Sequence, residues 1–555
     1  MNPDTCDARD GVERRSVLKG LGILGALATV GSVSATPGEP DENTDVGATT
    51  TPVIGDRKTR KRRRKAAYEQ RKHAARHQLL DGPLEAVVTN GDEERFGAVA
   101  AFTKGVTSDA LGVATPAAYD ALLAMLAGDG PLDSAHLGGP RKLANPTAAH
   151  SFDVSGTDSQ LTAMPPAPAF DSDETGAEMV ELYWQSLLRD VAFADYATHP
   201  TALRAAAELD ELTGYTGPKG LVDDPSLLFR GTLEDCDVGP HLSQFLYHPV
   251  PRGLGHTQEQ RYTVPTGGPD YATGDADWLA VQRGFVPDRT GPVPTATRYL
   301  ITGRDLATYV HADYVYQAYE DAALILLGLG VPLDANLPTS PVEGHFVDFG
   351  IADVLDAVTG VSRPALHAAW VQKWLVNRRL RPEAYGGRVH HHLTGNATYP
   401  LPTTLVESDA LAAVFDAQGT YLLSQAYAEG SPMHPSYPAG HAVIAGACVT
   451  VLKAFFDEDA VLPSVDDADS PGYTTDTLTA RGELHKLAEN MSIGRNWAGI
   501  HYRSDAADGY RLGEAVALAY LVDRARAYDE TYGFDGFSLT RFDDTPVTVT
   551  ADGVY

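Results

Sequence analysis

The chain has 555 residues, long enough to bury a large core, and it is strongly acidic. It holds 74 Asp and Glu against 44 Lys and Arg, a net charge of −30, and the part after residue 65 carries −33. Such a dense carboxylate surface repels phosphate and needs dissolved salt to screen its own repulsion. The composition therefore excludes nucleic acid as a partner and is typical of proteins adapted to high salt.

The first residues have the pattern of an export signal. Arg14 and Arg15 precede the short apolar run "LGILGALATV", which ends near the small-residue sequence "SVSA". We interpret residues 1–35 as a twin-arginine signal peptide and residues 36–56 as a flexible linker rich in Pro, Thr, Gly and Asp. No later segment has 18 consecutive apolar residues, so we expect a secreted, extracellular protein without membrane association.

A basic segment follows the linker. Eleven of the 20 residues from Arg57 to Arg76 are Lys or Arg. One interpretation is an arm that binds an anionic surface. Because the rest of the chain is so acidic, we favour a basic helix that packs on an acidic body, which could be that of a neighbouring subunit.

Residues 57–555 are predicted to form one catalytic domain of the all-α class, a large helical bundle with long loops and minor β structure. Apolar residues recur at three- and four-residue spacing in seven segments. These predicted helices are 177–193, 306–329, 365–380, 404–427, 441–456, 480–490 and 510–527. Strand-like alternation is confined to short pieces and to the tail "VTVTADGVY".

The segment "KWLVNRRLRPEAYGG" is the first of three that carry groups suited to an oxyanion. Lys373 and Arg381 are eight residues apart, a little over two helical turns, and Pro382 is expected to end their helix. A lysine gives a point charge and an arginine a planar fork, so the two can close on one anion. Basic residues near a helix end are also common without any ligand.

The other two segments place histidines beside glycine-containing turns. In "HPSYPAGH", His434 and His441 flank a turn in which Gly440 lets the backbone approach a ligand closely at a helix N-terminus. In "GRNWAGIHYRSDAADGYRLGE", Arg495 precedes His501, and Asp505 follows four residues later. At this spacing the carboxylate can hold one ring nitrogen so that the other points at a ligand.

Taken in order, Lys-x7-Arg-Pro, Pro-x-Gly-His and Arg-x5-His-x3-Asp resemble the signature of the vanadium-dependent haloperoxidases and the related acid phosphatases. The chain is most similar to the algal and bacterial bromoperoxidase branch, because its Lys-to-Arg spacing is one residue longer than in the phosphatases and fungal chloroperoxidases, and because it has His434. Upstream segments also resemble that branch, and the resemblance extends from about residue 60 to the C-terminus. These segments are "NGDEERFG" (90–97), "AEMVELYWQSLLRDVAFADY" (177–196) and "LFRGTLEDCDVGPHLSQFL" (228–246).

The resemblance implies a vanadate cofactor bound through a ring nitrogen of His501, the metal ligand, with Asp505 behind that ring. It further implies that four other residues contact the oxygens of the anion. These are Lys373, Arg381, Gly440 and Arg495.

The resemblance also implies a reaction, the oxidation of halide by hydrogen peroxide to hypohalous acid. His441 would be the acid–base residue, with Asp313 as its partner, and Lys373 would polarise the bound peroxide. His434 would favour bromide or iodide over chloride, although a histidine can also simply pack the turn. Trp374 and Trp497 are candidates for shaping the halide pocket, and the family implies a homodimer or a larger homo-oligomer.

Two other functions fit the same residues. A secreted acid phosphatase would use His501 as the phosphoryl-accepting nucleophile and His441 as general acid. A non-enzymatic protein could use the same cations only to bind an oxyanion.

Two further features stay open at the level of sequence. Cys236 and Cys448 could form a disulfide or remain free. The tract His390–His392 resembles a metal-binding sequence, but we interpret it as a loop or surface feature.

One residue departs from the family pattern. Ala439 stands where the family usually has serine, so a hydroxyl donor to a charged oxygen is missing. A hydrogen bond to a charged group contributes about 1.5–3 kcal/mol.

Ala439→Ser is therefore expected to tighten vanadate binding by about 10- to 100-fold. The measurement is the vanadate dissociation constant of the two proteins, from titration of the vanadate-free forms. Equal constants would show that position 439 contributes nothing to binding of the anion.

Overall fold

The computed structural model describes residues 56–81, 87–130, 135–287, 296–528 and 533–555. The predicted signal peptide and nearly all of the predicted linker lie outside the described residues. The chain divides into two units, Met1–Arg63 and Arg64–Tyr555. The described part of the first unit, residues 56–63, leads into and begins the first helix.

Helices account for most of the regular structure, as the sequence predicts. In chain order the helices are α1 (Arg57–Asp81), α2 (Asp92–Phe96), α3 (Pro116–Ala127), α4 (Asp173–Leu188), α5 (Pro200–Glu211), α6 (Asp275–Gln282), α7 (Gly303–Ala312), α8 (Gln317–Leu329), α9 (Ile351–Val371), α10 (Pro382–Leu393), α11 (Thr403–Val406), α12 (Asp409–Gln418), α13 (Gly440–Phe455), α14 (Ala480–Trp497) and α15 (Arg503–Ala527). A π-helical turn, Gln372–Asn377, follows α9 directly. No helix in the described ranges combines the length and the apolar character that crossing a membrane requires.

The β structure is minor. The strands are β1 (Val250–Pro251), β2 (Thr257–Gln258), β3 (Tyr262–Val264), β4 (Ala296–Arg298), β5 (Val461–Leu462), β6 (Leu478–Thr479), β7 (Phe537–Thr540), β8 (Pro546–Thr550) and β9 (Gly553–Val554). They form three two-stranded antiparallel sheets, β1–β2, β3–β4 and β5–β6, and one three-stranded sheet in the order β7–β8–β9. The strands predicted in the C-terminal tail are confirmed.

Several predicted helices differ in extent from those of the structure, and two predicted segments need particular comment. The segment 306–329 is broken between α7 and α8, and Asp313 lies at this break as the residue that follows α7. The segment 404–427 ends as a helix at Gln418, because Gly419 adopts a left-handed φ of 73° that closes the last turn. Apolar periodicity resumes past both breaks because Ala318 and Tyr319 in the first segment, and Leu422 and Leu423 in the second, are buried again.

The helix α13 lies at the centre of the bundle. Every one of its residues except His441 is buried, and it packs against α15, α9 and α14. A helix that is apolar on all sides needs such a position. The start of α13 is therefore fixed by the packing of the rest of the bundle.

Glycines allow α13 and α15 to approach closely. A Cβ atom added to Gly446 would lie 2.0 Å from the backbone oxygen of Tyr510, and one added to Gly513 would lie 2.1 Å from that of Val443. Because both neighbours are backbone atoms, no side-chain rotation can relieve these contacts. Close helix contact at these points requires glycine on both helices.

Gly513→Ala is expected to push α15 away from α13 and to destabilise the fold by about 2 kcal/mol or more, since overpacking against backbone cannot relax locally. The measurement is the thermal unfolding midpoint in molar salt. Gly274→Ala is the matched control, because a Cβ atom there meets no atom within 4 Å and the φ angle is ordinary. Equal unfolding temperatures of the two variants would show that the contact between α13 and α15 does not require glycine at position 513.

Candidate active site

The segment 373–381 is not one helix, contrary to the sequence prediction. Helix α9 passes into the π-turn that carries Lys373, where the Arg378 amide donates to the Lys373 oxygen over five residues at 3.1 Å. Arg378 then has a left-handed φ of 33°. Pro382 begins α10 instead of ending a helix, as proline does at a first helical position. The chain changes direction after the π-turn, so Lys373 and Arg381 reach the same turn before α13 although they do not lie on one helix.

Lys373 and Arg381 are both buried and both reach towards the turn that precedes α13. The Lys373 Nζ donates to the backbone oxygens of Pro435, at 2.9 Å, and Ser436, at 2.7 Å. The Arg381 Nε donates to the His434 oxygen at 2.9 Å, and its two terminal nitrogens contact His434 Nδ1 at 3.0 Å and His501 Nε2 at 2.8 Å. The predicted first and third segments therefore meet around His434.

Arg495 completes a group of three buried cations. It lies in the last turn of α14, and one of its terminal nitrogens donates to the Val310 oxygen at 2.8 Å. Its Nε is buried without a hydrogen-bond partner among the described residues. The guanidinium also lies over the Tyr427 ring, 5.6 Å from its centre.

Asp505 orients His501. The ring Nδ1 of His501 lies 2.7 Å from Asp505 Oδ2, so it donates its proton there, and Nε2 keeps a lone pair. The Ser436 hydroxyl donates to the same oxygen, and the Tyr502 amide donates to it at 3.0 Å. Asp505 lies in the first turn of α15, as the four-residue spacing predicts.

Arg379 is a part of the site that the sequence interpretation missed. It donates to Asp505 Oδ1 at 2.9 Å and to Glu178 of α4 at 2.8 Å, and its guanidinium lies 3.8 Å from the centre of the Tyr502 ring. Nothing in the run "NRRLRP" distinguishes this arginine from its neighbours. Glu178, its second carboxylate partner, is about 200 residues away in the chain.

The charges of the site shift the protonation of its members. Burial lowers the pKa of Lys373 and of His501 well below their ordinary values, and the nearby Arg381 adds to both effects. Burial also lowers the pKa of Arg381 to about 9. Burial by itself would raise the pKa of Asp505, but Arg379 and His501 outweigh it and hold that pKa well below its ordinary value.

The residues fit an oxyanion. Lys373, Arg381 and Arg495 have no ion pair with a carboxylate among the described residues, while Asp505 is already shared by Arg379 and His501. Buried cations without a counter-ion are costly, so the group favours an anion between them. A Cβ atom added to Gly440 would meet nothing closer than 3.6 Å, which leaves space beside the first amide of α13.

His441 and Asp313 form a pair at the edge of the site. His441 Nε2 lies 3.1 Å from Asp313 Oδ1, across the gap between α13 and the end of α7. The His441 side chain is 29% exposed, whereas the Asp313 side chain is buried. The structure thus groups Lys373, Arg381, His434, Arg495, His501 and Asp505. It also pairs His441, the residue after Gly440, with Asp313.

The tryptophans are placed differently from the prediction. Trp374 packs edge-on against Phe102, and Trp497 packs edge-on against Phe229, both in buried aromatic clusters. The ring that contacts His434 is instead Trp370 of α9, with ring centres 4.9 Å apart. Burial lowers the pKa of His434 well below its ordinary value, and Lys373 and Arg381 add to this, so the ring is neutral.

The structure also shows the environment of the two cysteines, the histidine tract and Ala439. Cys236 and Cys448 are both buried and free. The tract His390–His392 is not a surface loop, since it lies in the last turn of α10 with His390 and His391 buried. The methyl group of Ala439 packs with Ala442 and Ala506 in a small buried cluster.

Anion binding at this site is expected to weaken as the pH rises. An anion favours protonated Lys373 and Arg381, so binding takes up protons, and affinity falls as the pH rises through the lowered pKa values of these two groups. The measurement is calorimetric titration with sulfate, whose charge is constant in this range, in buffers of different ionisation enthalpy.

The matched pair of variants is Arg381→Gln and Arg511→Gln, each of which removes one positive charge. Arg511 is half exposed on α15. The fall in affinity with rising pH should be smaller in Arg381→Gln and unchanged in Arg511→Gln. An affinity that does not change with pH would contradict the assignment of these cations.

Comparison with known proteins gives the family. Residues 413–529 match the family model of the VCPO second helical-bundle domain. The chain is 37% identical over 480 residues to the vanadium-dependent bromoperoxidase of Corallina pilulifera, covering 73% of this chain and 79% of that protein. It is 33% identical over 529 residues to the vanadium-dependent bromoperoxidase of Ascophyllum nodosum, covering 88% and 93%.

A solved structure extends this likeness to the fold. The homohexameric structure of the second vanadate-dependent bromoperoxidase from Ascophyllum nodosum superposes with a TM-score of 0.81 at 27% identity, covering 94% of each chain. The helical-bundle class predicted from the sequence is confirmed. With a buried cationic site built on the three expected segments, and with relatives this similar over most of their length, the chain belongs to the vanadium-dependent bromoperoxidase family.

Proposed function

We propose that this protein oxidises bromide with hydrogen peroxide, using vanadate held at His501. The observation that carries this proposal is the group of three buried cations, Lys373, Arg381 and Arg495, that lack a carboxylate partner in the described chain beside the unprotonated Nε2 of His501. The relatives named above are vanadium-dependent bromoperoxidases. Neither of the two alternatives, a phosphatase or a passive oxyanion binder, is favoured by these matches.

The site residues contribute to binding of the anion in different ways. Neutral His501 offers Nε2 as the metal ligand, because Asp505 holds the proton on Nδ1. With Nε2 bound to the metal, the Arg381 terminal nitrogen that now contacts it would be available to donate to an oxygen of the anion. Lys373 and Arg495 supply two further positive charges, and the amide of Gly440 supplies a neutral donor at the start of α13.

Bound vanadate supplies a Lewis-acid centre that activates hydrogen peroxide towards attack by a halide. His441 is suited to move the protons that this chemistry requires. Its Nε2 faces Asp313, which leaves Nδ1 free to hold or release a proton. Its partial exposure lets it exchange that proton with solvent, while the cations behind it are closed to water.

His434 lies beside the group of cations, in contact with Arg381. Its ring is fixed between Arg381 and Trp370, and it is neutral, so it can donate or accept one hydrogen bond without adding charge. We propose that this ring contributes to the preference for bromide. The positive charge of the vanadate-free site then comes from Lys373, Arg381 and Arg495 alone.

Two features bear on where and how the enzyme acts. The pattern around Arg14 and Arg15 and the acidic composition support export into a salt-rich medium. From Arg64 to Leu80, α1 has no buried residue, and the related Ascophyllum structure is homohexameric. We propose that this exposed basic helix contributes to a homo-oligomer of acidic subunits.

The experiment compares activity and binding in two variants. In molar salt, the vanadate-free protein should oxidise bromide only after orthovanadate is added, and phosphate should compete. His501→Ala should lose both this activity and the rise in unfolding temperature caused by vanadate. His441→Ala should keep the rise in unfolding temperature but lose turnover by about 100-fold or more, because general acid–base catalysis contributes about that much.

Two outcomes would contradict the proposal. If orthovanadate produced no oxidation of bromide and instead inhibited hydrolysis of a phosphate ester by the same protein, the phosphatase function would replace this proposal. If vanadate raised the unfolding temperature without supporting either reaction, the protein would be a passive oxyanion binder.

A further inference from the structure

A second group of polar side chains lies outside the vanadate site, where the first turn of α6 meets the last turn of α10. One ligand atom from each of Asp275, His390 and His391 lies within 4.8 Å of the others. His390 is 8% exposed and His391 is 4% exposed, while the Asp275 side chain is 57% exposed. The group is therefore buried on its histidine side and open to solvent on its carboxylate side.

His391 is the member of this group that lacks hydrogen-bond partners. Neither of its ring nitrogens has a hydrogen-bond partner among the described residues. Buried polar groups are nearly always satisfied, so an orphaned buried imidazole needs an explanation. The contact of His391 with Trp278 of α6, at 5.4 Å between ring centres, fixes the ring edge-on.

The contacts of His390 are long. Its Nε2 is 3.3 Å from Asp275 Oδ1, and its Nδ1 accepts from the Tyr421 amide at 3.3 Å. Both distances exceed those of strong hydrogen bonds. Coordination through Nε2 would place the ring proton on Nδ1, and the weak contact with Tyr421 would be given up.

The ligand types select the ion. Two imidazoles and one carboxylate suit zinc and the neighbouring transition metals, whereas calcium and magnesium prefer oxygen ligands alone. The last turn of a helix is also the end that favours a positive charge. We propose that Asp275, His390 and His391 bind one zinc-like divalent cation, with water at the position that faces solvent.

Such an ion would join α6 to the C-terminal end of α10. The N-terminal end of α10 is already joined to α6, because the Trp278 Nε1 donates to the Glu383 oxygen at 2.9 Å. Arg381 immediately precedes α10. With the cation bound, both ends of α10 would be joined to α6, one by the ion and the other by Trp278, and the ion would take no part in the reaction itself.

The test is calorimetric titration of the full, vanadate-free protein with zinc. Molar potassium nitrate screens the many surface carboxylates without binding zinc strongly. Asp275→Asn and His391→Gln are compared with His392→Gln, which alters the adjacent histidine of the same tract. Asp275 is exposed, so its substitution leaves the core untouched.

One zinc ion per chain is expected, with binding weakened about 10-fold or more in Asp275→Asn and in His391→Gln. His392→Gln should bind as the unaltered protein does. Cobalt(II) should give the visible absorption of a four-coordinate site, and this absorption should be lost in Asp275→Asn. Absence of stoichiometric zinc binding, or equal binding in all three variants, would overturn the proposal whatever the outcome of the bromide assay.

Discussion

The carboxylate of Asp505 is the group on which the arrangement of the candidate site depends. Its two oxygens accept hydrogen bonds from His501, Ser436, Tyr502 and Arg379, and its backbone oxygen accepts from the amide of Ala439 at 2.8 Å. One residue therefore joins the loop before α15, the turn before α13 and the strand-like segment before α10. These are the three sequence segments that supply the site, and Arg379, Ser436 and Asp505 within them are 57 to 126 residues apart in the chain.

The burial of Asp505 explains how the site holds unpaired positive charge. A buried carboxylate needs compensation, and Arg379 provides it together with the ring of His501. Arg379 is in turn balanced by Glu178, so the charge of this inner pair is satisfied within the protein. Lys373, Arg381 and Arg495 are left outside that balance. The fold thus supports their charge without neutralising it, and a bound anion completes the arrangement.

The sequence predicted the local features of this site well, because they are set by short spacings. The Asp505–His501 pair follows from a four-residue separation at the start of a helix, and Gly440 and His441 follow from the turn that opens an apolar helix. Features set by distant contacts were not accessible. The pairing of Arg379 with Glu178 and the packing of Trp370 on His434 depend on how separate helices meet.

Other errors arose where local patterns have more than one outcome. A proline after a run of helix-forming residues can end one helix or begin the next, and Pro382 does the second. Consecutive histidines suggest an exposed tract by composition, yet α10 turns His390 and His391 inward. Apolar spacing across 306–329 could not reveal the break at Asp313, since the residues on both sides still pack into the same core.

The π-turn at Gln372–Asn377 affects the spacing between Lys373 and Arg381. A π-turn closes its hydrogen bond over five residues where an α-turn uses four, so it accommodates one extra residue between the same two ends. The Lys373–Arg381 spacing differs by one residue from that of the phosphatase-like signature. The extra residue of the longer spacing can therefore be accommodated within the π-turn, while Lys373 and Arg381 still reach the same turn before α13. Local helix geometry thus sets the length of this part of the signature.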